Sequence, residues 1–246
     1  MQKKNIGLGL LTLLALAVLL AFLCSSPIIQ DEHYHNFSDK RTMFFIPNFW
    51  NVVSNLPFLL VGLMGVFRLK LSGSSKIYYR LFFASIALVS IGSGYYHYNP
   101  NSQTLVWDRL PMTLGFMALF ALIISEFINE KIGRLLFVPF LIFGLLSILI
   151  WVIYSDLRCY AVVQFFPIVA IPIILLFFES RYTLTSRYWF VFLFYALAKV
   201  FEYYDSAIYN SLVFLSGHTL KHLAASLSIF VLYATLQNRQ KIDFGS

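Results

Sequence analysis

Long apolar stretches recur along the whole chain and are separated by mostly short polar connections. A membrane-spanning helix needs about 20 mostly apolar residues to cross roughly 30 Å of hydrocarbon. Eight stretches meet this requirement: 6–25, 48–68, 78–98, 106–128, 133–154, 158–179, 185–204 and 213–236. One connection, 26–47, is long, and it is polar and carries several charged residues. The pattern therefore predicts an all-α, polytopic membrane protein.

The composition supports this fold class and excludes others. Of the 246 residues, 59% are hydrophobic and 12% are charged, whereas a soluble globular domain has about 25% charged residues. The 26 Phe and 15 Tyr exclude a disordered chain, which has few aromatic residues. The net charge of +7 comes without a dense basic cluster, so we expect contact with lipid head groups and no nucleic-acid partner.

The distribution of Lys and Arg predicts the orientation, because these residues are enriched in cytoplasmic connections. With a cytoplasmic N-terminus and eight crossings, twelve of the 18 basic residues lie in cytoplasmic segments and four in outer segments. Both termini are then cytoplasmic. The start of the chain is similar to a secretory signal, but its apolar run is long and no Ala-x-Ala precedes a cleavage site, which favours an uncleaved anchor helix.

Three polar clusters lie at the ends of predicted helices, all on the predicted outer side. The first runs from Ser93 to His97, the second contains Asp108, and the third contains His218 and His222. Ionisable residues within membrane spans are costly and therefore rare. Their gathering on one side predicts a functional site near the extracytoplasmic face.

The histidine spacing predicts a metal centre. His218 and His222 are four residues apart, so both side chains leave one face of a helix. Together with His97 they would supply three neutral nitrogen ligands and leave one position for water, as in catalytic zinc sites. Asp108 is then a candidate proton acceptor, and Ser93 is a candidate donor to an oxyanion. In the alternative interpretation the histidines hold no metal and form hydrogen bonds between helices.

A polar stripe near the outer end of the second stretch is a candidate support for this site. It contains Asn48, Asn51, Ser54 and Asn55. Hydrogen bonds between such side chains join neighbouring membrane helices. We therefore expect the stripe to brace the site and to take no direct part in the chemistry.

Three charged residues in and after the seventh stretch stand three positions apart: Lys199, Glu202 and Asp205. The spacing predicts a structural ion pair between Lys199 and Glu202. Asp205 is expected to face the outer site.

These motifs together resemble the alkaline ceramidase family, within the CREST superfamily of seven-helix membrane hydrolases and receptors. The motifs that carry the resemblance are Asn48-Phe49-Trp50-Asn51-Val52-Val53-Ser54-Asn55-Leu56, Ser93-x-x-x-His97, Asp108, and Ser216-Gly217-His218-Thr219-Leu220-Lys221-His222. They occur in the same order as in the family, over about residues 30–240. The resemblance leaves 6–25 as an additional N-terminal helix before a seven-helix core.

The resemblance also implies a chemistry. Its implied zinc ligands are His97, His218 and His222. It places Ser93 and Asp108 in the site and implies hydrolysis of the amide of ceramide, a membrane lipid, to sphingosine and a fatty acid. Eukaryotic members of the family carry an acidic residue where Asn48 stands, and an acidic N-terminal segment linked to calcium. Neither is reproduced here, which argues against a calcium site.

The predicted organisation has four parts: an anchor helix or signal-like segment at 1–25, an extracytoplasmic polar segment at 26–47, a seven-helix catalytic domain at 48–236 and a cytoplasmic tail at 237–246. The preferred function is a zinc-dependent lipid amidase of sphingolipid metabolism. Two alternatives stay open: a zinc hydrolase of a lipid ester or phosphodiester, and a receptor-like protein with a structural zinc. A transporter is disfavoured, because the polar residues gather at one side. The oligomeric state has no signal in the sequence.

Overall fold

Helices form where the apolar stretches predict them. The computed structural model describes residues 2–70 and 76–242. In chain order its helices are α1 (Gln2–Cys24), α2 (Phe49–Val53), α3 (Leu56–Arg68), α4 (Lys76–Tyr98), α5 (Ser102–Ile123), α6 (Glu130–Tyr154), α7 (Arg158–Phe177), α8 (Arg187–Tyr203), α9 (Asp205–Leu212) and α10 (Gly217–Asn238). A 3₁₀ turn at Glu32–His35 precedes α2, and a π turn at Ile124–Ile128 follows α5. Met1 of the predicted anchor segment and residues 243–246 of the predicted tail lie outside the described residues.

Seven spans within the described residues are long and apolar enough to cross a membrane, with α2 and α3 counted as one span. This confirms the predicted all-α, multi-pass membrane protein with an apolar N-terminal helix. α8 occupies the predicted stretch 185–204 but is not among the seven. Its 17 residues extend over only roughly 26 Å, which is short for a full crossing.

The predicted stretch 48–68 is not one continuous helix. α2 and α3 are separated by Ser54 and Asn55. Pro57 lies in the first turn of α3, where its missing N–H removes no helical hydrogen bond. Ser90 on α4 donates to the carbonyl oxygen of Asn55 at 2.8 Å, so the break is joined to the next helix.

The chain divides into two compact units. The first is formed by residues within 1–30, 113–183 and 240–246, and the second by 31–112 and 184–239. All residues that the sequence singles out as candidates for a site lie in the second unit.

In the first unit, α1 packs closely against the end of α7. A Cβ at Gly7 would lie 2.6 Å from the Cβ of Phe177, so only glycine permits this approach. The segment after α1 is held by the carboxylate of Asp156, which accepts from the N–H of Ile28 at 3.2 Å. The hydrogen bonds that Arg158 donates to Asp156 lower the pKa of that carboxyl.

In the second unit, a glycine lets α4 and α5 approach at the level of the candidate residues. A Cβ at Gly92 would lie 2.0 Å from the carbonyl oxygen of Trp107. Because Gly92 precedes Ser93 and Trp107 precedes Asp108, this close approach brings the two candidate side chains within reach of each other.

Gly92→Ala is therefore expected to lower the free energy of unfolding by about 1–3 kcal/mol, because the methyl group would push two packed backbones apart. Thermal denaturation of the detergent-purified protein measures this loss. Gly94→Ala is the matched control on the same helix, since a methyl group at that position would meet no packed neighbour within 4 Å. The control should be neutral or slightly stabilising, because alanine favours helix over glycine. Equal melting temperatures for the two variants would contradict the close approach.

Candidate metal centre

Three histidines form a buried cluster in the second unit. His97 lies at the end of α4, and His218 and His222 lie in the first two turns of α10. Their side chains are almost inaccessible, with residue exposures of 1%, 5% and 3%. Each offers one ring nitrogen, and these nitrogens all lie within 4.8 Å of one another. The structure thus brings together the three residues that the spacing singled out.

The spacing of the ring nitrogens fits a metal ion. Nε2 of His97 and Nε2 of His218 are 3.3 Å apart. Tetrahedral zinc with Zn–N bonds of about 2.0–2.1 Å separates its ligand nitrogens by about 3.3 Å. Three neutral imidazoles also match the donor set of a catalytic zinc site, which keeps a fourth position open.

A hydrogen-bond chain sets the orientation of the third ring. Ser54 Oγ donates to the carbonyl oxygen of Asn51 at 3.3 Å and lies 2.8 Å from Nδ1 of His222. With its own proton directed to Asn51, the hydroxyl accepts the Nδ1 proton. The Nε2 lone pair of His222 then remains for a metal, as in metal sites whose histidines are oriented by a hydrogen bond to the other nitrogen.

Asn51 is fully buried and joins several segments around the cluster. Its Oδ1 accepts from the hydroxyl of Thr219 at 3.1 Å, and its Nδ2 donates to the carbonyl oxygen of Asp39 at 3.2 Å. Its own carbonyl oxygen accepts from Nδ2 of Asn55 at 2.8 Å. The polar stripe therefore contacts the histidine-bearing helix and the connection before α2, which is the geometry of a brace.

Ser93 and Asp108 form a second pair in the same unit. Both residues are buried, and the Ser93 hydroxyl is close enough to the Asp108 carboxylate to interact with it. Ser93 lies one helical turn before His97 on α4, so these two side chains share one helix face. A carboxylate in this position can accept a proton from an attacking water. The hydroxyl can donate a hydrogen bond to a developing oxyanion.

Asp205 positions the start of α10. One carboxylate oxygen accepts from the backbone N–H of His218 at 2.7 Å, and the other accepts from the N–H of Ser38 at 3.1 Å. Gly217 permits this arrangement, because a Cβ there would lie 2.2 Å from the carbonyl oxygen of Phe201. Asp205 thus touches the backbone of a candidate ligand and does not join the histidine rings.

Glu202 makes the ion pair that the spacing predicts and a second one that the spacing does not predict. Its Oε2 lies 2.7 Å from Nζ of Lys199, and its Oε1 lies 2.7 Å from Nζ of Lys221. Lys221 also lies 3.4 Å from Nε2 of His218. The signal that points to Lys221 is a cation inside a membrane span, between two candidate ligands.

The predicted polar segment covers the histidine cluster, which the pattern did not predict. The ring of Phe37 packs on His97 and His218 at centroid distances of 4.7 and 4.6 Å. The next acidic residue, Asp39, is buried and paired with Arg41 at 2.6 Å. The hydrogen bonds between the two side chains raise the pKa of Arg41.

The first two acidic residues of this segment accept hydrogen bonds from neighbouring groups. Asp31 accepts from the N–H of His33 at 2.9 Å, and Glu32 accepts from the hydroxyl of Ser102 at 3.0 Å. His35 lies 2.8 Å from the hydroxyl of Tyr96, and burial lowers the pKa of its imidazole. His33 and His35 do not belong to the cluster of three histidines that could hold a metal ion.

Comparison with protein families gives one match that covers most of the chain. The family model described as Ceramidase matches residues 39–241. The curated proteins give no match. The matched range contains all the candidate residues described above.

Proposed function

This chain belongs to the ceramidase family, and from that premise we propose that it is a zinc-dependent lipid amidase of the membrane. Its substrates would be ceramide-type N-acyl sphingoid bases, and its products a free sphingoid base and a fatty acid. The match confirms the family resemblance of the sequence motifs, and the family supports a hydrolase that acts on amides. Zinc as the metal and a ceramide-type lipid as the substrate are both proposed.

The observation that carries the proposal is the combination of two buried groups in one unit. Three imidazole nitrogens lie within 4.8 Å of one another, and the buried Ser93 and Asp108 lie in the same unit, with Ser93 one helical turn before His97. Hydrolysis of an amide needs an activated water, a group that moves a proton and a donor to the oxyanion. Each requirement has a candidate among these residues.

In the proposed reaction Asp108 moves the proton. When bound, zinc would polarise the amide carbonyl and lower the pKa of a water molecule. Asp108 accepts the proton that the attacking water loses as its oxygen bonds to the carbonyl carbon. The carbonyl π electrons move to oxygen, and Ser93 donates a hydrogen bond to this oxyanion. Asp108 then delivers the proton to the amide nitrogen as the C–N bond breaks, which releases an amine and a fatty acid.

The lipid is proposed to reach the site from the bilayer, with its acyl chains between helices and its amide near the head-group level. We further propose that both termini are cytoplasmic and that the site faces the extracytoplasmic side. The support for this orientation is the excess of Lys and Arg in the connections assigned to the cytoplasm.

The test compares two lipids that differ in one bond. Purified protein is incubated with an N-acyl sphingosine and with the corresponding O-acyl ester, and the released fatty acid is quantified. Faster release from the amide is expected, and chelation should abolish it until zinc is restored. Faster release from the ester would favour a different lipid hydrolase. Zinc binding without release from either lipid would favour the receptor-like alternative.

A further inference from the structure

Lys221, Lys199 and Glu202 form an ionic cluster beside the histidines that the proposed reaction does not use. The Glu202 carboxylate bridges the two lysines, with 2.7 Å to each Nζ. The side chains of Lys221 and Glu202 are 19% and 21% exposed, and that of Lys199 is 38% exposed. A charge in a membrane span is costly and marks a functional group more often than a structural one.

Lys221 points its ammonium group at the metal-binding face of the cluster. Its Nζ lies 3.4 Å from Nε2 of His218, the same nitrogen that lies 3.3 Å from Nε2 of His97. It is also close enough to Asp108 to interact with that carboxylate. The ammonium group therefore borders the histidine nitrogens and lies within electrostatic reach of the candidate proton acceptor.

One N–H of Lys221 becomes available when the histidines bind a metal. An ammonium group has three donors and no acceptor, and Glu202 occupies one of them. A second donor is directed at Nε2 of His218. That lone pair cannot accept a proton donor and bind a metal at once, so in the loaded protein this donor is free for another acceptor at the same place.

The charges of the region favour an anionic acceptor. The two lysines are balanced by Glu202 and Asp108, so these four side chains are neutral overall. The three imidazoles carry no negative charge to offset a divalent ion. A loaded site of this composition has a positive potential, which stabilises negative charge on oxygen.

We propose that Lys221 is a further catalytic residue, which donates a hydrogen bond to the acyl oxygen as it becomes negative and then to the carboxylate of the fatty-acid product. Glu202 is the positioning residue that directs it. This inference rests on the proposed amidase function. Lys221 transfers no proton: as the water oxygen bonds to carbon, the carbonyl π pair moves to oxygen, and the ammonium stabilises that charge until the C–N bond breaks.

The test separates charge recognition from metal binding. Lys221→Met removes the charge and keeps the length of the side chain, and Lys199→Met is the comparison, since it removes the other partner of Glu202. Three quantities are measured for each variant: zinc per protein, kcat on the amide lipid, and the affinities for dodecanoate and for the neutral dodecanamide. Lys221→Gln is the second neutral variant if Lys221→Met does not fold.

Lys221→Met is expected to keep its zinc and to lose about 10²- to 10³-fold in kcat, as when one oxyanion donor is removed. Dodecanoate should bind about 10- to 100-fold more weakly, because a charge-assisted hydrogen bond is lost, while the affinity for dodecanamide stays within about twofold. Lys199→Met should change each quantity by less than about fivefold, as for a partly exposed ion pair.

Two results would overturn the assignment: wild-type kcat and dodecanoate affinity in Lys221→Met, or loss of zinc from that variant. The proposed function fails separately, if the wild-type protein releases no fatty acid from any amide. Weak dodecanoate binding by Lys221→Met would in that case still support Lys221 as a donor to an anionic oxygen.

Discussion

His222→Ala is expected to bind almost no zinc and to lose at least about 10³-fold in kcat/KM, because a two-nitrogen site no longer holds the ion that supplies several kcal/mol of charge stabilisation. The geometry indicates that zinc binding is especially sensitive to a change at His222, because its ring is held in place by a neighbouring hydroxyl. Ser54 lies 2.8 Å from Nδ1 of His222 and orients the ring. Elemental analysis of the purified protein and release of fatty acid from the amide lipid measure the two effects.

The control for this variant is His33→Ala. His33 belongs to the same predicted polar segment as Phe37, but it is exposed and does not belong to the cluster. It should keep about one zinc per protein and wild-type turnover. Wild-type turnover in a folded His222→Ala protein would contradict the metal centre and leave the histidines as packing residues.

Asp108→Asn is expected to keep its zinc and to lose about 10²- to 10⁴-fold in kcat, the range for removal of a proton-transferring group. The amide has the shape of the carboxylate and can still accept from Ser93, so the local structure should persist. Only the ability to take a proton is removed. Zinc content and single-turnover kinetics on the amide lipid test this separation.

Glu179→Gln makes the same chemical change at an exposed carboxylate in the first unit. It should behave as the wild type. Together with His222→Ala, the Asp108 variant divides the site into two functions, since one variant loses both metal and turnover and the other loses turnover alone. If Asp108→Asn also lost its zinc, the role of Asp108 would be to keep the metal bound and not to transfer a proton.

Several features of this protein were predictable from the sequence alone, because they depend on residues close together in the chain. Spans of about 20 apolar residues predict helices at α1, α4, α6, α7 and α10, since burial of backbone polar groups in lipid permits few other structures. The i, i+4 spacing of His218 and His222 likewise fixes one helix face for both rings. The order of the motifs indicated the family that the comparison confirmed.

Other features depended on the tertiary structure, because they join residues that are distant in sequence. The second ion pair of Glu202 with Lys221 spans 19 positions, and the hydrogen bond between Ser54 and His222 spans 168. Such contacts depend on how each helix is rotated and how closely glycines such as Gly92 let two backbones approach. Local periodicity carries no information on either quantity. The sequence by itself thus determined most of the helical spans and the candidate metal ligands, and only packing decided that Glu202 pairs with Lys221 and that the ring of Phe37 covers the histidines.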